Sequence, residues 1–225
     1  FMDNIKILEG KSFNAWVGFK NSFIISTCST ILTLYFSALT AHALIAYNWK
    51  LRRAFFTFIM AVMMIPAQIT GIGFFQFMYS IGMTNNFLAL ILPAAAAPAG
   101  VFFMRQFMIA SFPLDLLEAA RIDGSHEFYT FNRIVLPIMK PALATQGIFS
   151  FVTSWNALFM PMVLLTSSDN YTMPLMVNLL RGDIYKTEYG AVYLALTLTV
   201  LPLFVVYFSL SKYIIAGVAL GSVKG

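Results

Sequence analysis

The sequence predicts an all-α membrane protein with five transmembrane helices, and three observations carry that prediction. Hydrophobic residues make up 60% of the 225 and charged ones only 10%, against the roughly 25% charged content of a soluble domain. Mean hydropathy is +0.80. The few charges also cluster, leaving long uncharged runs of the length needed to cross a hydrocarbon core of about 30 Å. A water-soluble globular protein is excluded on these grounds. The surplus of 14 Lys and Arg over 9 Asp and Glu then marks cytoplasmic loops rather than an affinity for nucleic acid. One cysteine, Cys28, and two histidines, His42 and His126, cannot close a zinc site, so no bound metal is expected.

Taken in order, residues 1–20 form an external segment, and Asn21 to Trp49 supplies the first crossing. Ala54 to Met104 carries no charge at all. As one helix it would be about 77 Å long at 1.5 Å per residue, so it must hold two crossings. The turn between them is expected at Gly82 to Asn86, where Gly and Asn accept positive φ. Residues 141–168 and 190–211 give the fourth and fifth crossings, separated by an external loop over 169–189, and 212–225 form a cytoplasmic tail. Nine basic residues, among them Lys50, Arg52, Arg53, Arg105 and Lys140, fall at one set of ends, and five at the other. The richer side is expected to be cytoplasmic. The chain begins with Phe and carries no signal-peptide pattern. With the start then external, a sixth helix is expected upstream.

The spans hold no Asp, Glu, Lys or Arg, which argues against a secondary transporter with coupling acids at mid-membrane. Instead the first span carries Ser22, Ser26, Ser29, Thr30, Thr33, Ser37 and Thr40 at steps of three and four. Gln146, Ser150 and Ser154 repeat the pattern in the fourth. Such stripes line a polar pathway or allow close helix packing. Trp155 and Phe159 are candidates for stacking on a sugar ring, although a packing role is the simpler reading. His42 is expected to be a hydrogen-bonded packing residue. Pro66, Pro161 and Pro202 are expected to kink their spans. There is no Walker A sequence and no clustered Ser, His and Asp set, so any ATP hydrolysis belongs to another chain and no catalytic residue is assigned.

The loop from Arg105 to Lys140 is long and patterned. A helix is expected to open near Pro113, with Asp115 and Glu118 in its first turn and Leu114, Leu117 and Ala120 along one face. Gly124 stops it. Ser125 is expected to cap a second helix, along which Phe128, Phe131 and Val135 recur before Pro137. The loop's charges are balanced, four acidic and four basic, which suits protein docking better than an anionic lipid surface. Ala119 and Ala120 would let a partner approach, and Glu118 and Arg121 would fix its orientation.

Glu118-Ala119-Ala120, three residues, Gly124, nine residues, Ile134, one residue and Leu136-Pro137 resembles the EAA motif of permease subunits in binding-protein-dependent ABC importers. The fuller string Glu118-Ala-Ala-Arg121-Ile-Asp123-Gly124, Trp155-Asn156 with Phe159, and the ending Gly221-Ser-Val-Lys-Gly225 resemble its carbohydrate-uptake branch, which includes the smaller permease of the maltose transporter. The resemblance implies a type I ABC importer permease fold in a bacterial or archaeal cytoplasmic membrane. It also implies a coupling helix carrying Glu118, Ala119, Ala120, Arg121, Asp123 and Gly124 that seats in an ATPase subunit. The implied partners are a second permease, an ATPase homodimer or heterodimer holding ATP and Mg, and an extracytoplasmic solute-binding protein. Asp169, Asn170, Arg181 and Asp183 match in position the external loop that meets the binding protein. A di- or oligosaccharide is the expected cargo, with Ser150, Ser154, Trp155, Asn156 and Phe159 on its path. Glycerol phosphate or another polyol derivative is the alternative. A secondary transporter or channel and a non-transporting structural subunit complete the competing classes.

Overall fold

A computed structural model describes residues 5–8, 13–181 and 188–222. Asp183 and Lys186 fall outside that set. All the regular structure among the described residues is helical.

The long helix α1, Ala15–Ala46, opens at Asn14, whose Oδ1 accepts from the Val17 amide at 3.2 Å. It starts before the expected Asn21 because Lys20 is tolerated in an early turn, where a long side chain can reach back to water. The next crossing is not one helix but two, α2 (Arg52–Val62) and α3 (Ala67–Ser80), with Pro66 as the N-cap of the second. Pro66 therefore breaks the run instead of bending it, since it lacks an amide donor and drives Ile65 out of the helical region. The following turn forms as the residue types require, with Gly82 at φ 69° and Asn85 at φ 56°. Asn85 then ties that turn to a distant loop. Its amide donates to the Leu164 carbonyl at 2.7 Å, and its Oδ1 accepts from the Thr166 and Ser167 amides, both at 3.1 Å.

The third crossing, Leu88–Ser111, is assembled from α4 (Leu88–Ile91), a 3-10 turn over Leu92–Ala95 and α5 (Pro98–Ser111). A helical hairpin follows, α6 (Asp115–Ile122) and α7 (Glu127–Ile138), joined through Gly124 at φ 73°. The N-cap of α7 is His126, without a side-chain bond, while Ser125 Oγ pairs with Thr130 Oγ1 at 2.8 Å. The expected Ser125 cap is thus replaced by a contact across the first turn. Helix α7 also runs through Pro137, with π-type turns over Phe131–Val135. The wider turns accommodate a proline ring that would otherwise press on the carbonyl of Arg133.

At Met139 the chain bends by 79° into α8, Lys140–Trp155. The expected fourth span then breaks again after Trp155, and α9 (Phe159–Leu164) carries Pro161 in its first turn. Residues expected to be plain loop hold a further helix, α10 (Met173–Leu180), on which Met173, Leu175, Met176, Val177 and Leu180 are buried. Helix α11, Tyr189–Ser222, contains Pro202 and continues into the residues assigned to a tail. Among the described residues three helices, Ala15–Ala46, Leu88–Ser111 and Tyr189–Ser209, are each long and apolar enough to cross a membrane, and the bent α7–α8 pair makes up to four.

Helix α1 packs against α5, α8 and α10. At the end that carries Lys50, Arg52 and Arg53, Ala38, Ala41, Met104, Met108, Leu117, Phe131 and Val135 form the largest apolar cluster. His42 stacks there on Phe131, with ring centroids 5.5 Å apart, and its ring nitrogens have no partner among the described residues. It packs, but without the expected hydrogen bond. Gly100 marks the closest approach of α5 to α1, since a Cβ there would overlap Ser37 Oγ and come within 3.2 Å of Ser37 Cβ and 3.3 Å of Thr33 Cγ2. Replacing Gly100 by Val should lower the unfolding temperature of the detergent-solubilised protein by several degrees, reflecting roughly 1–3 kcal/mol of overpacking. Adding Ser37→Gly should recover part of that loss, as a thermal melt followed by size-exclusion fluorescence would show.

Candidate functional site

Beside the Gly100 crossing, α1 and α8 diverge and leave a cleft of about 760 Å³. Ser22, Ser29 and Thr33 of α1 face Gln146, Ser150, Thr153 and Ser154 of α8, and Pro93, Ala94, Ala96, Ala97, Ala99 and Gly100 form a third wall of small residues. The two hydroxyl stripes thus meet across one space. None of the residues lining it is charged. Residues at two breaks line it, Ala96 and Ala97 at one and Ala157 after Trp155 at the other.

Some of these hydroxyls are committed to the fold. Ser22 Oγ accepts from the Met173 amide at 2.8 Å, so α1 caps α10, and Thr33 Oγ1 donates to the Ala94 carbonyl at 2.9 Å. Ser29 Oγ and Thr172 Oγ1 also face the cleft, are buried, and have no hydrogen-bond partner among the described residues. Both oxygens are buried behind the wall of the cleft, so the hydroxyls that a neutral solute can meet are those of Ser150, Thr153 and Ser154 with the Gln146 amide. Ser26 and Ser37, by contrast, are fully buried in helix contacts, which is the packing role.

The aromatic candidates divide. Trp155 is 1% exposed, donates its Nε1 hydrogen to the Thr199 carbonyl at 3.1 Å and stacks on Phe151 at 5.7 Å. It is a core residue holding α8 to α11, in the turn that precedes Pro202. Asn156 is the exposed C-cap of α8. Phe159 is half-buried and packs on Gly71, where a Cβ would meet its ring at 2.6 Å. Neither lines the cleft, whereas Ser150 and Ser154 do.

At the basic end, the hairpin keeps Glu118, Ala119, Asp123 and Gly124 exposed. Ala120 is only 6% exposed, packed inward with Leu117, so it does not offer the open approach expected of it. Arg121 likewise turns back on its own chain. Its Nε donates to Glu127 Oε1 at 3.0 Å, its Nη2 donates to the Ala46 carbonyl at 3.2 Å, and its guanidinium lies 5.1 Å from the Tyr47 ring centroid. The Tyr47 hydroxyl completes the cluster with a short hydrogen bond to Glu127 Oε2. Arg121 thereby satisfies a carbonyl at the end of α1, where a cation is also favoured by the helix dipole. The pairing of Arg121 with Glu127 across the Gly124 turn is the part a sequence could suggest, six residues apart on a hairpin. Nothing local points to Tyr47.

At the opposite end, Asn21 Nδ2 donates to the Asp169 and Tyr171 carbonyls at 2.8 and 3.0 Å, and Asn170 Nδ2 to the Asn85 carbonyl at 3.0 Å. Asn170 is therefore a structural tie, while the Asp169 and Arg181 side chains are exposed.

An all-helical protein with several apolar spans, a charge-free cleft and a polar hairpin tied to one wall of that cleft belongs among membrane transport components. Residues 21–219 match the family described as "Binding-protein-dependent transport system inner membrane component", and the chain belongs to that family. It is 36% identical over 224 residues to an arabinooligosaccharides transport system permease protein of Halalkalibacterium halodurans, covering 100% of this chain and 80% of the relative. A lactose transport system permease protein of Rhizobium radiobacter is 34% identical, over 92% of this chain and 74% of that protein. The crystal structure of a bacterial ABC transporter involved in the import of the acidic polysaccharide alginate superposes with TM-score 0.77 at 24% identity, covering 89% of this chain and 79% of that one. The fold is that of a type I ABC importer permease, and the chain is a multi-pass protein of the cytoplasmic membrane.

The Glu127 carboxyl lies below the ordinary glutamate pKa, held there first by the Tyr47 hydrogen bond and then by Arg121. A depressed folded-state value contributes stability that is present above the ordinary pKa and is lost as pH falls through the folded value. The hairpin's attachment to α1 should therefore be indifferent to pH from neutrality down to the usual carboxylate range and weaken only below it. Glu127→Gln should remove that acid-dependent component in pH-scanned thermal melts. A double-mutant cycle with Arg121→Gln should give a coupling of about 0.2–1 kcal/mol, as for other half-exposed pairs.

Proposed function

We propose that this chain is the permease subunit of an ATP-driven importer that moves a di- or oligosaccharide inward by alternating access. The observation that carries the reading is the connection through α1: one part of the helix lines a hydroxyl-bearing, charge-free cleft, and its end is bonded through Arg121 to the exposed α6–α7 hairpin. Relatives named for arabinooligosaccharide and lactose transport support a carbohydrate cargo. A glycerol phosphate would call for a cationic group on its path, and the cleft is lined by none, so the sugar reading is favoured.

The basic end is the cytoplasmic one. There Glu118 and Ala119, with Ile122 at 86% and Phe128 at 71% exposure, form the face that seats in an ATPase subunit, which with its mate supplies ATP and Mg. Closure of that ATPase dimer displaces the hairpin, and the Arg121 bond carries the displacement to α1. The cleft is shared with a second permease, and the exposed Asp169 and Arg181 at the opposite end meet an extracytoplasmic solute-binding protein.

In the reconstituted complex, Glu118→Ala should lower uptake of radiolabelled oligosaccharide by about tenfold or more while ATP hydrolysis continues, the pattern of lost coupling. Unchanged uptake would sink the assigned coupling role. Filling the cleft with Ser150→Phe should block uptake but leave the complex assembled with its ATPase, as co-purification would show.

A further inference from the structure

A second, separate cavity of about 440 Å³ lies near the basic end, between α2, α5 and the last turns of α1. Arg52 and Arg53 from α2 and Arg105 from α5 converge on it, with Leu44, Phe56 and Thr57 completing the lining. Three guanidinium groups around one cavity repel each other unless an anion sits among them. No carboxylate of the described residues pairs with any of the three. Arg52 uses one donor on the Tyr47 carbonyl at 3.2 Å. Arg105 is fixed over the Phe56 ring, its guanidinium carbon 4.1 Å from the centroid. Stacking of that kind holds the plane of the group while its N–H donors, which point outward in the plane, remain available.

The level of the cavity identifies the anion. Arg105 lies six residues before the end of α5 at Ser111, about 9 Å along the helix at 1.5 Å per residue. As the first charge after the uncharged run that ends at Met104, it belongs at the border between headgroups and acyl chains. Neighbouring α2 side chains are apolar and outward, with Phe55 43% and Phe58 64% exposed, so acyl chains have a surface to lie on directly beside the arginines. An acidic peptide arriving from water would meet neither feature. Basic pockets between spans on the cytoplasmic side are known to take anionic headgroups.

We propose that Arg52, Arg53 and Arg105 form a binding site for the phosphate of an anionic phospholipid of the inner leaflet, with its acyl chains along α2. The site is independent of the transported solute. Its test is native mass spectrometry of the purified transporter complex titrated separately with dioctanoyl phosphatidylglycerol, dioctanoyl phosphatidylcholine and inorganic phosphate. The wild type should hold at least one more phosphatidylglycerol than an R52Q/R53Q/R105Q variant, with about tenfold weaker binding in the variant. Phe56→Leu, which keeps all three charges and removes only the platform under Arg105, should weaken the lipid by a smaller factor, and it provides the reading should the triple variant not assemble. Equal binding of phosphatidylcholine, unchanged lipid occupancy in both variants, or displacement of the lipid by millimolar inorganic phosphate would each overturn the assignment.

Discussion

Inside hydrocarbon a polar group has no water to fall back on, so each amide, carbonyl and hydroxyl placed there must find a partner within the protein. Helix α1 meets that demand for the elements around it, while its own Ser26, Ser29, Thr30 and Ser37 hydroxyls have no partner among the described residues. Half of its buried residues are Asn, Ser and Thr, and three of those side chains do what backbone cannot do at broken helix ends. Ser22 takes the free amide at the start of α10, Thr33 takes the Ala94 carbonyl in the 3-10 turn, and Asn21 takes the Asp169 and Tyr171 carbonyls. Interrupted helices are tolerated around α1 because α1 answers for their loose ends.

The same arrangement connects structure to transport. Residues at the interruptions, Ala96-Ala97 and Ala157 after Trp155, line the cleft, and the Gly100 contact with Ser37 closes the packing beside it. At its other end α1 terminates in the Arg121, Tyr47 and Glu127 cluster. In the proposed function α1 acts as a lever, bonded at one end to the hairpin and lining the cleft further along, so displacement applied to the hairpin reaches the cleft without passing through a loop.

Much of this was legible in the residue order, and the failures share a cause. Charge-free runs located the apolar regions, Gly82 and Asn85 placed the turn, and Gly124 with its flanking amphipathic stretches placed the hairpin. Charge counting is blind to breaks within an apolar run, so the interruptions at Met63 to Pro66 and after Trp155 went unread even though Pro66 and Pro161 lay beside them. It is equally blind to a short apolar helix flanked by charges, so Met173 to Leu180 was absorbed into a loop between Asp169 and Arg181. Among the site residues, spacing put each seryl stripe on one face of its helix, and that the two share a space is visible only in the structure. Trp155 did not join them, because its indole N–H had a carbonyl on α11 to satisfy, a contact 44 residues away in the chain.

The dependence of later elements on α1 bears on how the protein is made. Helix α1 leaves the ribosome well before the segments that satisfy it, and the bond from Met173 to Ser22 closes across 151 residues. Until α5, α8 and α10 arrive, a seam of hydroxyls must wait in lipid or in the lateral gate of the insertion machinery. Seryl and threonyl groups are mild enough to tolerate that delay, because each can bond back to a carbonyl of its own helix. A carboxylate or amine at the same positions would hold α1 back from the bilayer.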